Sequence, residues 1–201
     1  MRSLFLFLMV SLFSFGAGAQ TPVVGREAAA QYFGESQEVR PSGPSSHYMA
    51  LHIGKLVNTE AWRWGDRNRR DDAGSLSLGV TYRIREWHQT DFAIRLDFNE
   101  YDIDGEKPQK LSFLPMIFFP EASAEFPLYF GAGIGPGIFF KQVSGESSVA
   151  LDYQLVVGIR FFDVFENAGF FLESGLKNHI QLGDDGQVNS AFITTGALFT
   201  F

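Results

Sequence analysis

Charged side chains recur at every second position of this sequence, on segments whose intervening positions are apolar. Arg83, Arg85, Arg95, Asp97, Asp152, Arg160, Glu173, Lys177 and His179 all fall on that polar phase. Such a set could line a conducting pore, form an acid–base site, or fill an interior in which opposite charges neutralise one another. Both signs are present, and buried charges must pair, so the third use suits the composition best. His179 is the natural general base. A base needs a nucleophile to activate, and two residues on stands Gln181, whose amide cannot attack. Lys177 and Glu173 share the phase of His179 two and six residues before it, so His179 is expected in their charge network. The chain has no cysteine, which excludes disulfides and thiolate metal sites. The acidic stretch YDIDGE, 101–106, lacks the loop length and ligand ladder of a calcium site, so no metal and no cofactor is assigned.

A second group sits in AWRWGDRNRRDD, where Trp62, Arg63, Trp64, Arg67, Arg69 and Arg70 interleave indoles with guanidinium groups. On an exposed loop these could grip phosphate oxygens in bidentate fashion and stack on a partner. Asp66, Asp71 and Asp72 can neutralise the same arginines, which makes a solvated zwitterionic loop the competing reading. The chain as a whole is acidic, 23 Asp and Glu against 16 Lys and Arg, and that argues against nucleic acid as partner.

The elements that position these groups have a period of two. In SLSLGVTYRIR, Leu76, Leu78, Val80, Tyr82 and Ile84 oppose serines, Thr81 and the arginines; DFAIRLDFN and SVALDYQLVVGIRF repeat the pattern. About eight such strands are expected, near 46–57, 74–85, 91–100, 110–119, 126–141, 148–162, 169–182 and 188–201. Their connections alternate, long and charged at first on one side, short on the other. The segments are of a length that suits tilted strands crossing a membrane. A soluble barrel would show a face dense in Lys, Glu and Asp, whereas the polar phase here holds arginines and small residues. Gly131, Gly133, Gly135 and Gly137 leave one inner wall without side chains, making room for long ones from opposite strands. Eight strands enclose a space just wide enough for side chains, which disfavours a through-channel.

The first 19 residues carry Arg2, an apolar run from Leu4 to Phe15 and Ala17-Gly18-Ala19, the features of a cleaved secretory signal. Residues 20–45 are expected in the periplasm, either disordered or as a short amphipathic helix over REAAAQYF that RPSGPS terminates. The barrel would occupy 46–201.

With signal, strand count and the closing TTGALFTF, residues 46–201 resemble the small outer-membrane β-barrel superfamily, which includes eight-stranded OmpA- and OmpX-type barrels. The resemblance implies an all-β, antiparallel, up-and-down transmembrane barrel in the outer membrane of a Gram-negative cell. It also implies that Phe199 and Phe201, at alternate positions of the last strand, are read by the barrel-assembly machinery. Trp87, Phe119, Phe161 and Phe170 suit an aromatic girdle at the same rim. The surroundings would be outer-membrane lipid and lipopolysaccharide. KNHIQLGDDGQVNSAF is loosely similar to the His-x-Ser-Asn stretch of outer-membrane lipid A deacylases; the match makes His179 the base and puts Gln181 and Leu182 where serine and asparagine stand. A non-enzymatic barrel with a structural or surface-interaction role is therefore expected. The alternatives are a lipid-modifying enzyme and a narrow pore or carrier.

Overall fold

The computed structural model describes residues 47–65, 69–124 and 126–201. Residues 1–19 and 20–45, to which a signal and a periplasmic segment were assigned above, and Arg67 lie outside them.

Nine strands follow in chain order: β1 Tyr48–Trp62, β2 Arg69–Arg70, β3 Gly74–Trp87, β4 Thr90–Tyr101, β5 Gln109–Phe119, β6 Leu128–Lys141, β7 Val149–Phe165, β8 Ala168–Gln181 and β9 Gln187–Thr200. The two-residue β2 merely doubles the end of β1, pairing Arg70 with Ala61 and Arg69 with Trp62. The eight long strands are each antiparallel to the next, and β9 returns to pair with β1 from Thr200↔Tyr48 to Gln187↔Trp62. Closure leaves no long strand with a free edge, so the backbone donors and acceptors of the wall are satisfied within it.

The eight expected segments correspond to these strands, with ends displaced by a few residues because the ladder runs on through polar ends that carry no apolar alternation. Strand β1 reaches Trp62 rather than 57, since after a bulge between Val57 and Glu60 it continues along β9. Asn58 takes the left-handed backbone there (φ 48°), which asparagine tolerates. The connections 63–73, 102–108, 142–148 and 182–186 lie at one end of the barrel, the loop end. Those at 88–89, 120–127 and 166–167 lie at the other, the turn end, with Phe201. The strict long–short alternation fails at one place: 120–127 spans as much chain as 102–108.

Polarity runs opposite to that of a soluble barrel. On β7, Ala150, Asp152, Gln154, Val156 and Arg160 are buried, while Val149, Leu151, Tyr153, Leu155, Val157 and Ile159 face out. Ile134 is 58% and Leu155 53% exposed, whereas Arg95 and Asp97 are each 1% exposed. The phase breaks at one expected inward residue. A register shift between Arg83 and Arg85 turns Arg85 outward at the rim, where its guanidinium lies 5.9 Å from the Phe92 ring. The glycines of β6 do make room, but for adjacent strands: a side chain at Gly131 would meet Phe118 of β5, and one at Gly137 the carboxylate of Asp152 on β7.

Candidate functional site

The inward side chains form a column of ion pairs along the barrel axis. Nearest the turn end, the Arg83 guanidinium donates to Asp91 at 2.7 Å and to Glu86 at 2.7 Å. Arg160 approaches the other oxygen of Asp91 at 3.4 Å, donates to the Pro120 carbonyl at 2.6 Å, and lies over the Tyr129 ring at 4.8 Å. Residues 120–124 thus close this end, with Ala122 buried among Tyr48, Ala50, Phe171 and Leu198.

Above that layer, Arg95 donates to Glu173 at 2.7 Å and to Thr81 at 2.7 Å, and the Tyr129 hydroxyl donates to the same carboxylate oxygen at 2.7 Å. Next, Asp97 holds His52 Nε2 on one oxygen and Lys177 Nζ on the other, both at 2.8 Å, and Lys177 also donates to Ser77 at 2.8 Å. Nearest the loop end, Lys110 Nζ donates to Asp152 at 2.7 Å and to His179 Nδ1 at 2.9 Å, which assigns the ring proton of His179 to Nε2. Each cation in the column meets a carboxylate, which buried charge requires.

The roof is Trp64. It is 1% exposed, not on the loop surface, because Arg63 and Gly65 adopt left-handed backbone (φ 48° and 74°) and fold the chain back over the mouth. The indole packs edge-on against Tyr101, His179 and Phe139 at 5.1, 5.3 and 5.4 Å, and Nε1 donates to Gln142 at 3.0 Å. With its amide turned to suit its neighbours, Gln181 accepts from the same indole at 3.0 Å and donates to Glu146. Gln181 therefore serves the roof. Its buried side chain faces inward beside His179, whose Nδ1 is met by Lys110 at 2.9 Å and Tyr101 at 3.5 Å. Of the other loop candidates, Arg70 is mostly buried and paired with Asp104, a correction to its surface assignment, while Arg69 and Arg63 are exposed. The roof is latched from outside by Arg63 donating to Asp185 at 2.8 Å, by Gly65 N–H donating to Glu146 at 2.8 Å, and by Ser147 N–H on Asp184.

Beneath the roof, among the described residues, a cavity of about 10 Å³ lies beside Arg95 and Glu173 and another of the same size beside Asp97 and Lys110. Each is room for about one water. Chemically, the set Ser77, Lys177, Asp97 and His52 contains the atoms of nucleophilic catalysis, but Ser77 is 0% exposed and shut off from substrate. The expected inward residues Arg83, Arg95, Asp97, Asp152, Arg160, Glu173, Lys177 and His179 are all in the column. Sequence reasoning missed Lys110, Asp91, His52 and Tyr129, and it placed Trp64 on the loop surface. The first three carry the inward phase of β5, β4 and β1, so alternation followed along every residue of those strands would have found them. Trp64 lies beyond the last strand residue, where alternation has no meaning.

No family model and no curated protein sequence matches the chain. Solved structures do. Neisserial surface protein A superposes over 80% of this chain and 100% of its own, with 14% identity and a TM-score of 0.55. The outer-membrane enzyme PagL covers 74% and 97%, with 18% identity and a TM-score of 0.52. Ail, the attachment invasion locus protein of Yersinia pestis, covers 77% and 99%, with 11% identity and a TM-score of 0.50. At these identities the likeness concerns architecture, and that architecture hosts proteins of unlike roles. The chain is an eight-stranded antiparallel barrel with the fold of the small outer-membrane proteins.

Proposed function

We propose that this protein is a non-enzymatic outer-membrane barrel that acts through its outer surfaces, as a structural element of the envelope or by contact with partners, and not through its lumen. The observation that carries this reading is the interior itself: a column of charge pairs with water-sized gaps, roofed by Trp64 and floored by 120–124. An eight-stranded barrel so filled gives a solute no path. The inverted polarity of the wall supports a lipid environment, and the strand lengths suit a tilted crossing of a bilayer. In that reading the loop end faces outward and the turn end, with the C-terminus, faces the periplasm. Residues 1–19 are removed on export and 20–45 remain in the periplasm. Phe199 and Phe201 serve the barrel-assembly machinery, and lipopolysaccharide surrounds the loop end.

PagL is an enzyme on the same fold, so a lipid-modifying activity is the second reading. Against it stands the chemistry at the compared position: His179 is inside the barrel, hydrogen-bonded to Lys110, and Gln181 beside it supports Trp64. A hydrolase acting on membrane lipid needs its nucleophile, base and oxyanion donors on the wall where the lipid lies. The test is expression in a bacterium with unmodified lipid A, followed by membrane fractionation and mass spectrometry of the lipid. The reading predicts the protein in the outer membrane and unchanged lipid A. Loss of an acyl chain, abolished by His179→Ala, would promote the enzyme.

A further inference from the structure

One seam of the wall has an interrupted ladder. Strands β5 and β6 pair at Ser112↔Gly137 and again at Met116↔Gly133, in a single register, with no pair between them. The direction of the backbone explains the gap. The Tyr101 N–H donates to Pro108 and the Phe139 N–H to Ser148; counted by twos across the paired strands, Phe113 and Pro115 turn their backbone groups toward β6, and Ile134 and Pro136 turn theirs toward β5. Proline has no N–H, so Pro136 cannot donate to Phe113, nor Pro115 to Ile134. The same prolines cost their other neighbours nothing, since β4–β5 and β6–β7 run past them without a break. Two ladder bonds are therefore missing side by side, halfway along both strands.

The inner face of the seam is thinly covered. Phe113, Pro115, Ile134 and Pro136 are exposed on the outer face, and inward β6 offers the bare backbone of Gly133 and Gly135. Behind these stand Gln154 and Asp152 of β7, in register with the two glycines. Gln154 is 2% exposed, and neither atom of its amide has a hydrogen-bond partner among the described residues; the same holds for Asp152 Oδ2 and Asn99 Oδ1. All three side chains, with Ser112 and Leu114, border the cavity of about 10 Å³ beside Asp97 and Lys110. Unmet buried amides are costly, and this volume is that of one water with enough polar partners to hold it. Lys110 and Lys177 already balance Asp152 and Asp97, so a metal ion in the same place would add a charge without a partner.

We infer that the middle of the β5–β6 seam is the line along which the wall opens first, and that the cavity behind it binds one water, which accepts from the Gln154 amide and donates to Asp152 Oδ2 and Asn99 Oδ1. The two features support each other. Strands part at high cost where the freed backbone groups meet hydrocarbon alone, and here a wet site stands on their lumen side. A side chain at Gly135 would strike the Phe113 carbonyl oxygen, so that oxygen leans toward the inner face.

The test is hydrogen exchange of the full chain refolded into lipid bilayers, read residue by residue by NMR. The amides of Phe113 and Ile134 are expected to exchange at least tenfold faster than those of Glu173 and Gly175, which lie in the unbroken β8–β9 ladder. Pro115→Val with Pro136→Val restores the two donors with β-branched outward side chains and should slow exchange at Phe113 and Ile134 about tenfold or more, the worth of one to two hydrogen bonds, without changing Gly175. Equal exchange at the two seams in the wild type, or no slowing in the double variant, would overturn the opening line; the wild-type comparison decides the matter even if the variant does not refold. Magnetisation transfer from water to the Asn99 side-chain amide and the Ser112 N–H reads the bound water. It is expected in the wild type and lost in Gln154→Leu, and a dry wild-type cavity would overturn the water site.

Discussion

Glu173→Ala is the substitution to which the filled interior is most exposed. Its carboxylate accepts hydrogen bonds from Arg95 and Tyr129, both at 2.7 Å, and Arg95 is 1% exposed. Without it the guanidinium keeps the Thr81 hydroxyl at 2.7 Å, the Phe118 ring at 5.6 Å and the more distant charge of Asp97, which is itself shared by Lys177 and His52, and the neighbouring cavity of about 10 Å³ can supply one water. Breaking a buried ion pair from one side costs about 3–5 kcal/mol, against a total that for folded proteins is about 5–15 kcal/mol. Removing the charge from both sides is different. The double variant Glu173→Ala with Arg95→Met leaves no orphan ion and should recover most of that loss. Urea unfolding from lipid vesicles, followed by tryptophan fluorescence, reads both quantities. If Glu173→Ala lies within about 1 kcal/mol of wild type, as for a solvated surface pair, Arg95 is wet and the account of the interior fails.

Other consequences test separate parts of the account. Leu78 faces outward between Ile53 and Phe98, so Leu78→Arg should cost about 2–4 kcal/mol of barrel stability and Leu78→Phe almost nothing; equal tolerance in the unfolding assay would mean the faces are reversed. Trp64→Ala removes the roof and should cost about 3–5 kcal/mol, with deuterium exchange rising at the loop end of β8 around His179; unchanged exchange would mean the roof does not seal. Phe201→Ser should slow appearance of the heat-modifiable folded band in cells while leaving refolding from urea into lipid unaffected. An equal effect on both would assign Phe201 a stabilising role and remove its role as an assembly signal.

The barrel was legible because period-two alternation fixes a strand and its face wherever the pattern lasts, and on the eight long strands it lasts most of their length. The column inside was partly legible for the same reason: Arg95, Asp97 and Glu173 sit mid-strand, where phase is secure. What partners they choose is not in the phase. Nothing in the sequence joins Arg95 to Glu173 across the lumen, because that neighbourhood is set by the closure of β9 on β1 and by the stagger of the whole barrel. Trp62 and Trp64 show the limit most clearly. They are two residues apart and of one type, yet one ends a strand facing out and the other turns back as the roof, and the left-handed backbone at Arg63 and Gly65 decides it. Arg85 is the converse case: a bulge between Arg83 and Arg85 cancels a phase that the sequence carries without interruption.

The central claim is that the interior is a closed column of paired charges. Its most direct test is the conductance of the purified, refolded chain in a planar lipid bilayer. Insertion of the heat-modifiable barrel should leave the membrane electrically silent at moderate salt and voltage, and Trp64→Ala should remain silent because the layers of Lys110, Asp97, Glu173 and Asp91 still fill the path beneath. Stable, reproducible current steps from the wild-type protein would contradict it.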